Sequence, residues 1–378
     1  MEIPDKMDSS GSGLEPRGPS CSCPEKTRTD SSKTIRTVQA LRAIAALLVV
    51  LEHCHYLWYV RKLHEPQAIR WMNGAAGVDI FFVISGFVMT TSLGGLAKYK
   101  HPIRVFLHRR ITRIVPLYWL ATTAKIVLLL VAPWYASETR LDLATVFGSY
   151  LFLPVVPVIV VGWTLNYEMF FYYTFCFAMA FKKRFYWILS PLLIVLAGLG
   201  LFSRPTWPPI TAFVSPMLME FYFGVLIAQF ALSKRLPGKV ACWIFLTAGL
   251  LAILTVCPHL LASEICRRFR FLVWGVPAAA IVIGSVGLEE RIGHRIPEWL
   301  ISQGNASYAI YLMQVFALQL VGIVLVRLPV DGLPARAFCI ASGLILSALA
   351  GEFVHRLIEK PLLKFLKNKQ QRGAGVLV

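Results

Sequence analysis

The sequence predicts an all-α protein, a polytopic membrane helix bundle with about ten transmembrane helices. Three observations carry that expectation. Apolar residues make up 57% of the 378-residue chain, and the mean hydropathy is +0.63. Charged residues make up only 15%, whereas a soluble globule carries roughly 25%. The apolar residues are gathered in runs close to the ~20 residues that one bilayer crossing needs.

Residues 1–33 are rich in Ser, Gly, Pro, Lys, Glu and Asp. With no apolar run to bury, they read as a disordered cytoplasmic tail and not as a signal peptide. The membrane domain is expected over 34–367, and 368–378 form a short basic cytoplasmic tail. Within the domain the expected crossings are 37–59, 74–93, 113–133, 163–181, 185–202, 212–232, 240–257, 271–288, 306–326 and 337–357. The stretch 143–161 contains Pro154 and Pro157, so it is expected to be re-entrant or interfacial. No internal repeat is detectable, which argues against a transporter built from inverted repeats.

Lys and Arg number 38 against 20 Asp and Glu, a net charge of +18. In a soluble chain that excess would suggest nucleic acid. Here the positive-inside rule accounts for most of it, and no nucleic-acid partner is expected. Alternate loops are rich in Lys and Arg, as in Arg109, Arg110 and Arg113, or Lys182, Lys183 and Arg184. This places both termini in the cytoplasm. Arg267, Arg268 and Arg270 fall on the opposite side and are the exception. A residual basic surface could attract a phosphorylated ligand or anionic lipid.

Eight cysteines are scattered with no disulfide or zinc spacing. His53, Cys54 and His55 are neighbours on a helix and diverge, so no metal site is expected there.

Arg42 and His53 stand eleven residues apart in the first apolar run. Eleven helical steps come to about 20° past three turns, so the two share a face, roughly 16 Å apart along the axis. Ionisable groups in hydrocarbon mark functional candidates. His53 can exchange a proton near neutral pH, as a general base must. Arg42 taken alone fits a snorkelling anchor. Arg110 and Arg113 are neighbours on one helix face. They fit either positive-inside anchoring or a guanidinium clamp on a phosphate-bearing donor. Glu168 and Glu220 each lie in an apolar run and must be paired, neutralised or turned to a polar cavity. Ser85 is in no G-x-S-x-G elbow, and no serine nucleophile is expected.

Together these blocks resemble, in order, the acyltransferase-3 family of bacterial integral-membrane acyltransferases that modify surface and exported polysaccharides. The likeness runs from about Lys33 to Lys367. It comprises Arg42 with His53; the block Gly77 to Phe87 containing Asp79, Ser85 and Gly86; Arg110 to Trp119; and Trp163 to Tyr172 with Glu168. Then come Glu220 with Gly224; Ser307, Tyr308 and Tyr311; and Glu359 with Pro361. The family's histidine two residues beyond the Ser307–Leu312 block is Gln314 here, which cannot exchange a proton near pH 7.

The resemblance implies a membrane-bound O-acyltransferase. It would move an acetyl or similar short acyl group from acyl-CoA, acetyl-CoA above all, to a sugar hydroxyl. Acceptors would be exopolysaccharide, O-antigen or lipo-oligosaccharide. The donor is a substrate, and no cofactor or metal is implied. The bilayer and polysaccharide-assembly proteins are the expected partners. His53, Arg42 and Glu168 would be catalytic. Arg110, Arg113, Asp79, Ser85, Glu220 and Tyr308 would bind substrate. The alternative of another class is a transporter of a small anionic metabolite or lipid-linked sugar, which would leave a thioester intact.

Overall fold

The computed structural model describes residues 35–65, 73–132, 141–153, 156–202, 213–256, 268–329 and 331–366. The tails expected at 1–33 and 368–378 lie outside the described residues. Those described are 87% helical with no strand.

The helices in chain order are α1 (Arg36–Leu57), α2 (Ala76–Leu96), α3 (Pro102–Val131), α4 (Leu143–Tyr150), α5 (Trp163–Ala180) and α6 (Phe185–Phe202). They continue with α7 (Leu218–Leu232), α8 (Lys239–Leu251), α9 (Val276–Gly287), α10 (Glu298–Arg327) and α11 (Gly332–Val354). Each of the ten expected crossings coincides with one of them. The count of about ten transmembrane spans is not confirmed, however. Among the described residues, six helices are long and apolar enough to cross a membrane, or seven if the bent pair Phe271–Gly287 and Glu289–Arg295 is one span. Leu218–Leu232 and Lys239–Thr255 are apolar but shorter. Hydropathy along a chain registers apolar runs and cannot separate a full crossing from a shorter packed helix. Among the described residues of 143–161 the chain forms the eight-residue α4, leaves helical geometry, and turns helical again in a short 3-10 segment from Val160.

Several helices begin earlier than their apolar runs. Helix α3 starts at Pro102, where the missing N–H costs nothing. This places Arg110 and Arg113 two to three turns inside it. Helix α10 likewise starts at Glu298, eight residues before the expected 306.

Large apolar side chains face outward, among them Trp187 at 81%, Phe202 at 87% and Val131 at 72% exposure. In water such a surface would aggregate; in lipid it is the solvent-matched face.

Inside, an aromatic column joins four helices. Phe106 stacks on Phe175 with centroids 5.0 Å apart, Phe171 lies 4.4 Å from Phe221, and Phe221 lies 4.5 Å from Phe82. Helices α2 and α7 touch backbone to backbone at Gly86 and Gly224. A Cβ on Gly86 would strike the Phe221 carbonyl, and one on Gly224 the Val83 carbonyl. That contact fixes the backbone beside Ser85.

Candidate active site

A cavity of about 100 Å³ opens between α1, α2, α3, α5 and α10. Its polar wall is Arg42, Ser85, Arg110, Arg113, Glu168 and Tyr308, with Tyr172, Ser307 and Tyr311. Six of the nine site residues expected from the sequence therefore come together, from five helices.

Each is positioned by its own turn of helix. Arg110 sits one turn beyond Phe106, its guanidinium 5.4 Å from that ring's centroid. Its Nε is buried and has no hydrogen-bond partner among the described residues. Arg113 faces the same space one step on, and among the described residues it makes no hydrogen bond or ion pair. Arg42 donates only a long bond, 3.4 Å, to Gln39 Oε1 on its own helix. Glu168, one turn before Tyr172, accepts from the Tyr172 hydroxyl at 2.6 Å and from Ser85 Oγ at 3.2 Å, both at Oε1. Tyr308 donates to the Ile114 carbonyl at 2.7 Å, tying α10 to α3. Tyr311 donates to the Val161 carbonyl at 2.8 Å and shares a 2.8 Å bond with Thr164. Ser307 Oγ is buried without a partner among the described residues.

The electrostatic sum is simple. Three guanidinium groups border the cavity against one carboxylate, and none of the three is in an ion pair among the described residues. Such a pocket favours an anion, and guanidinium forks match phosphate oxygens.

Asp79 and Glu220 lie elsewhere, in a second cluster. Arg270 grips Asp79 with two bonds, Nε to Oδ1 at 3.1 Å and an Nη to Oδ2 at 2.7 Å, and also donates to the Ala75 carbonyl. Its guanidinium rests 4.5 Å from the Trp274 ring centroid. Asp79 is fully buried. Glu220 is also fully buried, within electrostatic reach of both partners, and neither of its oxygens has a hydrogen-bond partner among the described residues. Arg270, one of the three arginines that depart from the expected charge pattern, is thus an internal counter-ion to Asp79. Arg267 lies outside the described residues.

His53 is not among the residues lining the cavity. Helix α1 is continuous from Arg36 to Leu57, so His53 stands three turns along from Arg42 on the same face. Its Nδ1 lies 2.8 Å from the Val49 carbonyl. A carbonyl only accepts, so Nδ1 carries the proton and Nε2 holds the lone pair of the neutral ring. His55 Nδ1 is tied in the same way to Leu51.

Roles for Tyr172 and Arg270 were missed in the sequence. Tyr172 had a signal, its i+4 spacing from Glu168. Arg270 had only its place on the wrong side of the charge pattern.

An acyltransferase-domain family model, Acyl_transf_3, matches residues 35–352. The chain is similar to the exopolysaccharide production protein ExoZ of Rhizobium meliloti, with 30% identity over 311 residues covering 79% of this chain and 93% of that protein. It is 24% identical over 392 residues to the putative peptidoglycan O-acetyltransferase YrhL of Bacillus subtilis, covering 89% of this chain and 56% of that one. It is 26% identical over 221 residues to the peptidoglycan O-acetyltransferase OatA of Listeria monocytogenes, covering 53% of this chain and 33% of that one. The chain therefore spans nearly all of the first relative and about half and a third of the other two. No solved structure matches. A family match over most of the chain, on a bundle with several membrane-length helices, makes this a multi-pass membrane O-acyltransferase, and the chain belongs to the acyltransferase-3 family.

Proposed function

We propose that this protein transfers an acetyl or similarly short acyl group from acyl-CoA to a sugar hydroxyl of an exported polysaccharide. Exopolysaccharide is the first acceptor to test, with O-antigen and lipo-oligosaccharide as related acceptors. The observation that carries the donor assignment is the cavity bordered by Arg42, Arg110 and Arg113, whose guanidinium donors are largely unpartnered among the described residues. The phosphates of acyl-CoA supply the matching anionic oxygens. The ExoZ and O-acetyltransferase relatives support a polysaccharide acceptor.

In this reading the donor enters from the cytoplasm, with both termini on that side of a bacterial inner membrane. Arg110 and Arg113 hold its phosphates. Arg42 offsets negative charge that develops on the carbonyl oxygen of the transferred group. Glu168 is the base within the cavity. His53, with Nε2 open as an acceptor, acts three turns farther along α1, as a base on the acceptor's route or as a transient acyl carrier.

The test compares surface glycans by mass spectrometry from cells with and without the gene, alongside thioester release by the purified protein. Loss of a glycan acetyl group on deletion, with acetyl-CoA consumed in vitro, is the expected result. Unchanged glycans and an intact thioester would refute the reading and favour a carrier.

A further inference from the structure

Two hydroxyl groups share one carboxylate oxygen inside the cavity, and the two differ. Tyr172 is 2% exposed and closes a short 2.6 Å bond to Glu168 Oε1. Ser85 is only half-buried, lines the open cavity, and makes a longer 3.2 Å bond to the same atom. The first geometry holds a carboxylate still; the second leaves a hydroxyl able to leave its partner and meet a ligand. Ser85 is also held from behind. Gly86 and Gly224 pack backbone to backbone, so α2 cannot rotate away from the cavity. Three guanidinium groups border the same space, where an oxyanion would form.

Contrary to the sequence expectation of no serine nucleophile, we propose that Ser85 carries the acyl group as an ester between donor and acceptor, with Glu168 as its base. This rests on the acyl-transfer reading above and names the residue that first receives the group. Ser85 Oγ attacks the carbonyl carbon of an acyl thioester while its proton passes to Glu168 Oε1. The carbon–sulfur bond breaks, and the departing thiolate takes that proton, leaving a free thiol and acyl-Ser85. In the second half a hydroxyl attacks the serine ester and gives its proton to Glu168. The carbon–oxygen bond to Ser85 breaks, and Oγ recovers the proton. No oxidant or reductant enters. Each half needs only one substrate in the cavity, so a cytoplasmic donor and an acceptor arriving by another route need never be bound together. Tyr172 is the positioning residue, fixing the carboxylate that serves both halves.

The competing role for the Ser85–Glu168 bond is a tie between α2 and α5, and the test separates them. The purified full-length protein, in lipid nanodiscs, is incubated with acetyl-CoA as the probe and no acceptor. It is then quenched in acid, digested and mapped by mass spectrometry. One acetyl increment on Ser85 is expected. It should be absent in Ser85→Ala and should form at least about a hundredfold more slowly in Glu168→Gln, the lower end for loss of a general base. Ser85→Cys should take the label as a hydroxylamine-labile thioester, a result that a structural tie does not produce. Thermal unfolding of each variant checks folding. If wild type acylates glycans but the label sits on His53 or Tyr172, or nowhere, the serine step is wrong and the transfer reading stands. The serine step is equally wrong if folded Ser85→Ala keeps full glycan acylation. If wild type transfers nothing to glycans and leaves acetyl-CoA intact, both readings fall.

Discussion

Replacing Arg113 by lysine isolates the donor contact from everything else in the bundle. Among the described residues Arg113 makes no hydrogen bond or ion pair, so the substitution should cost little stability. Lysine keeps the charge and hence the positive potential of the cavity. It loses the planar fork that grips two phosphate oxygens at once. One hydrogen bond to a charged group contributes about 1.5–3 kcal/mol. At about 1.4 kcal/mol per factor of ten, acyl-CoA binding should weaken roughly 10- to 150-fold. Arg110→Lys should behave alike, because Arg110 Nε also lacks a partner, with a small added loss of its contact to Phe106. If both arginines grip one phosphate, the double variant should fall short of the summed losses. Affinity for a non-hydrolysable acyl-CoA analogue in nanodiscs, at fixed salt, reads the effect, and the Tm reads folding. An unchanged Kd together with a lowered Tm would mean that these arginines only anchor α3 at the membrane surface.

Three further outcomes are expected. His53→Ala should abolish glycan acylation at normal protein level, while His55→Ala, on a different face of α1, should be mild; glycan mass spectrometry reads both, and near-wild-type acylation in His53→Ala would remove histidine from the mechanism. Arg270→Ala should destabilise the bundle by about 3–5 kcal/mol, because it strands the fully buried Asp79 charge. Adding Asp79→Asn should recover part of that loss, and a Tm series that shows no recovery would refute the pairing. Gln314 is fully buried, its Nε2 donates only to the Tyr311 carbonyl of its own helix, and its Oε1 has no partner among the described residues. Gln314→Leu should therefore shift stability by no more than about 1 kcal/mol. Gln314→His sets a titratable group near pKa ~6.5 beside cavity-lining Tyr311 and should alter the acid side of the pH–rate profile. An unaltered profile would place Gln314 outside the site.

What the sequence made legible was periodic and local. The shared face of Arg42 and His53 needs only an unbroken helix, and α1 is unbroken. The pairing of Arg110 with Arg113 follows from three-residue spacing. Their depth was not legible, because the expected crossing begins only at Arg113 while the helix begins at Pro102. The number of full crossings was not legible either, since the apolar runs expected over 212–232 and 240–257 hold the shorter helices Leu218–Leu232 and Lys239–Thr255. The Asp79–Arg270 pair joins residues 191 positions apart. No periodicity encodes such a contact, and it appeared in the sequence only as a charge on the wrong side.

Buried charge in this bundle therefore does two different jobs, and partner geometry tells them apart. Asp79 and Arg270 satisfy one another with two bonds and stacking on Trp274, leaving little to offer a ligand. Arg110 and Arg113 reach the cavity with donors unpartnered among the described residues, which would be costly in a buried site unless a ligand or water completes them. The same segment of α2 serves both jobs. Asp79 and Ser85 are six residues apart, about 9 Å along the axis and about 120° apart around it. Asp79 thus turns to α2's ion pair with the Arg270 segment while Ser85 turns to Glu168 and the open cavity. A single sequence block holds one charge in the internal ion pair and, in the proposed transfer, one hydroxyl that meets the substrate. The block's two polar residues should therefore fail differently when changed, Asp79 in folding and Ser85 in chemistry.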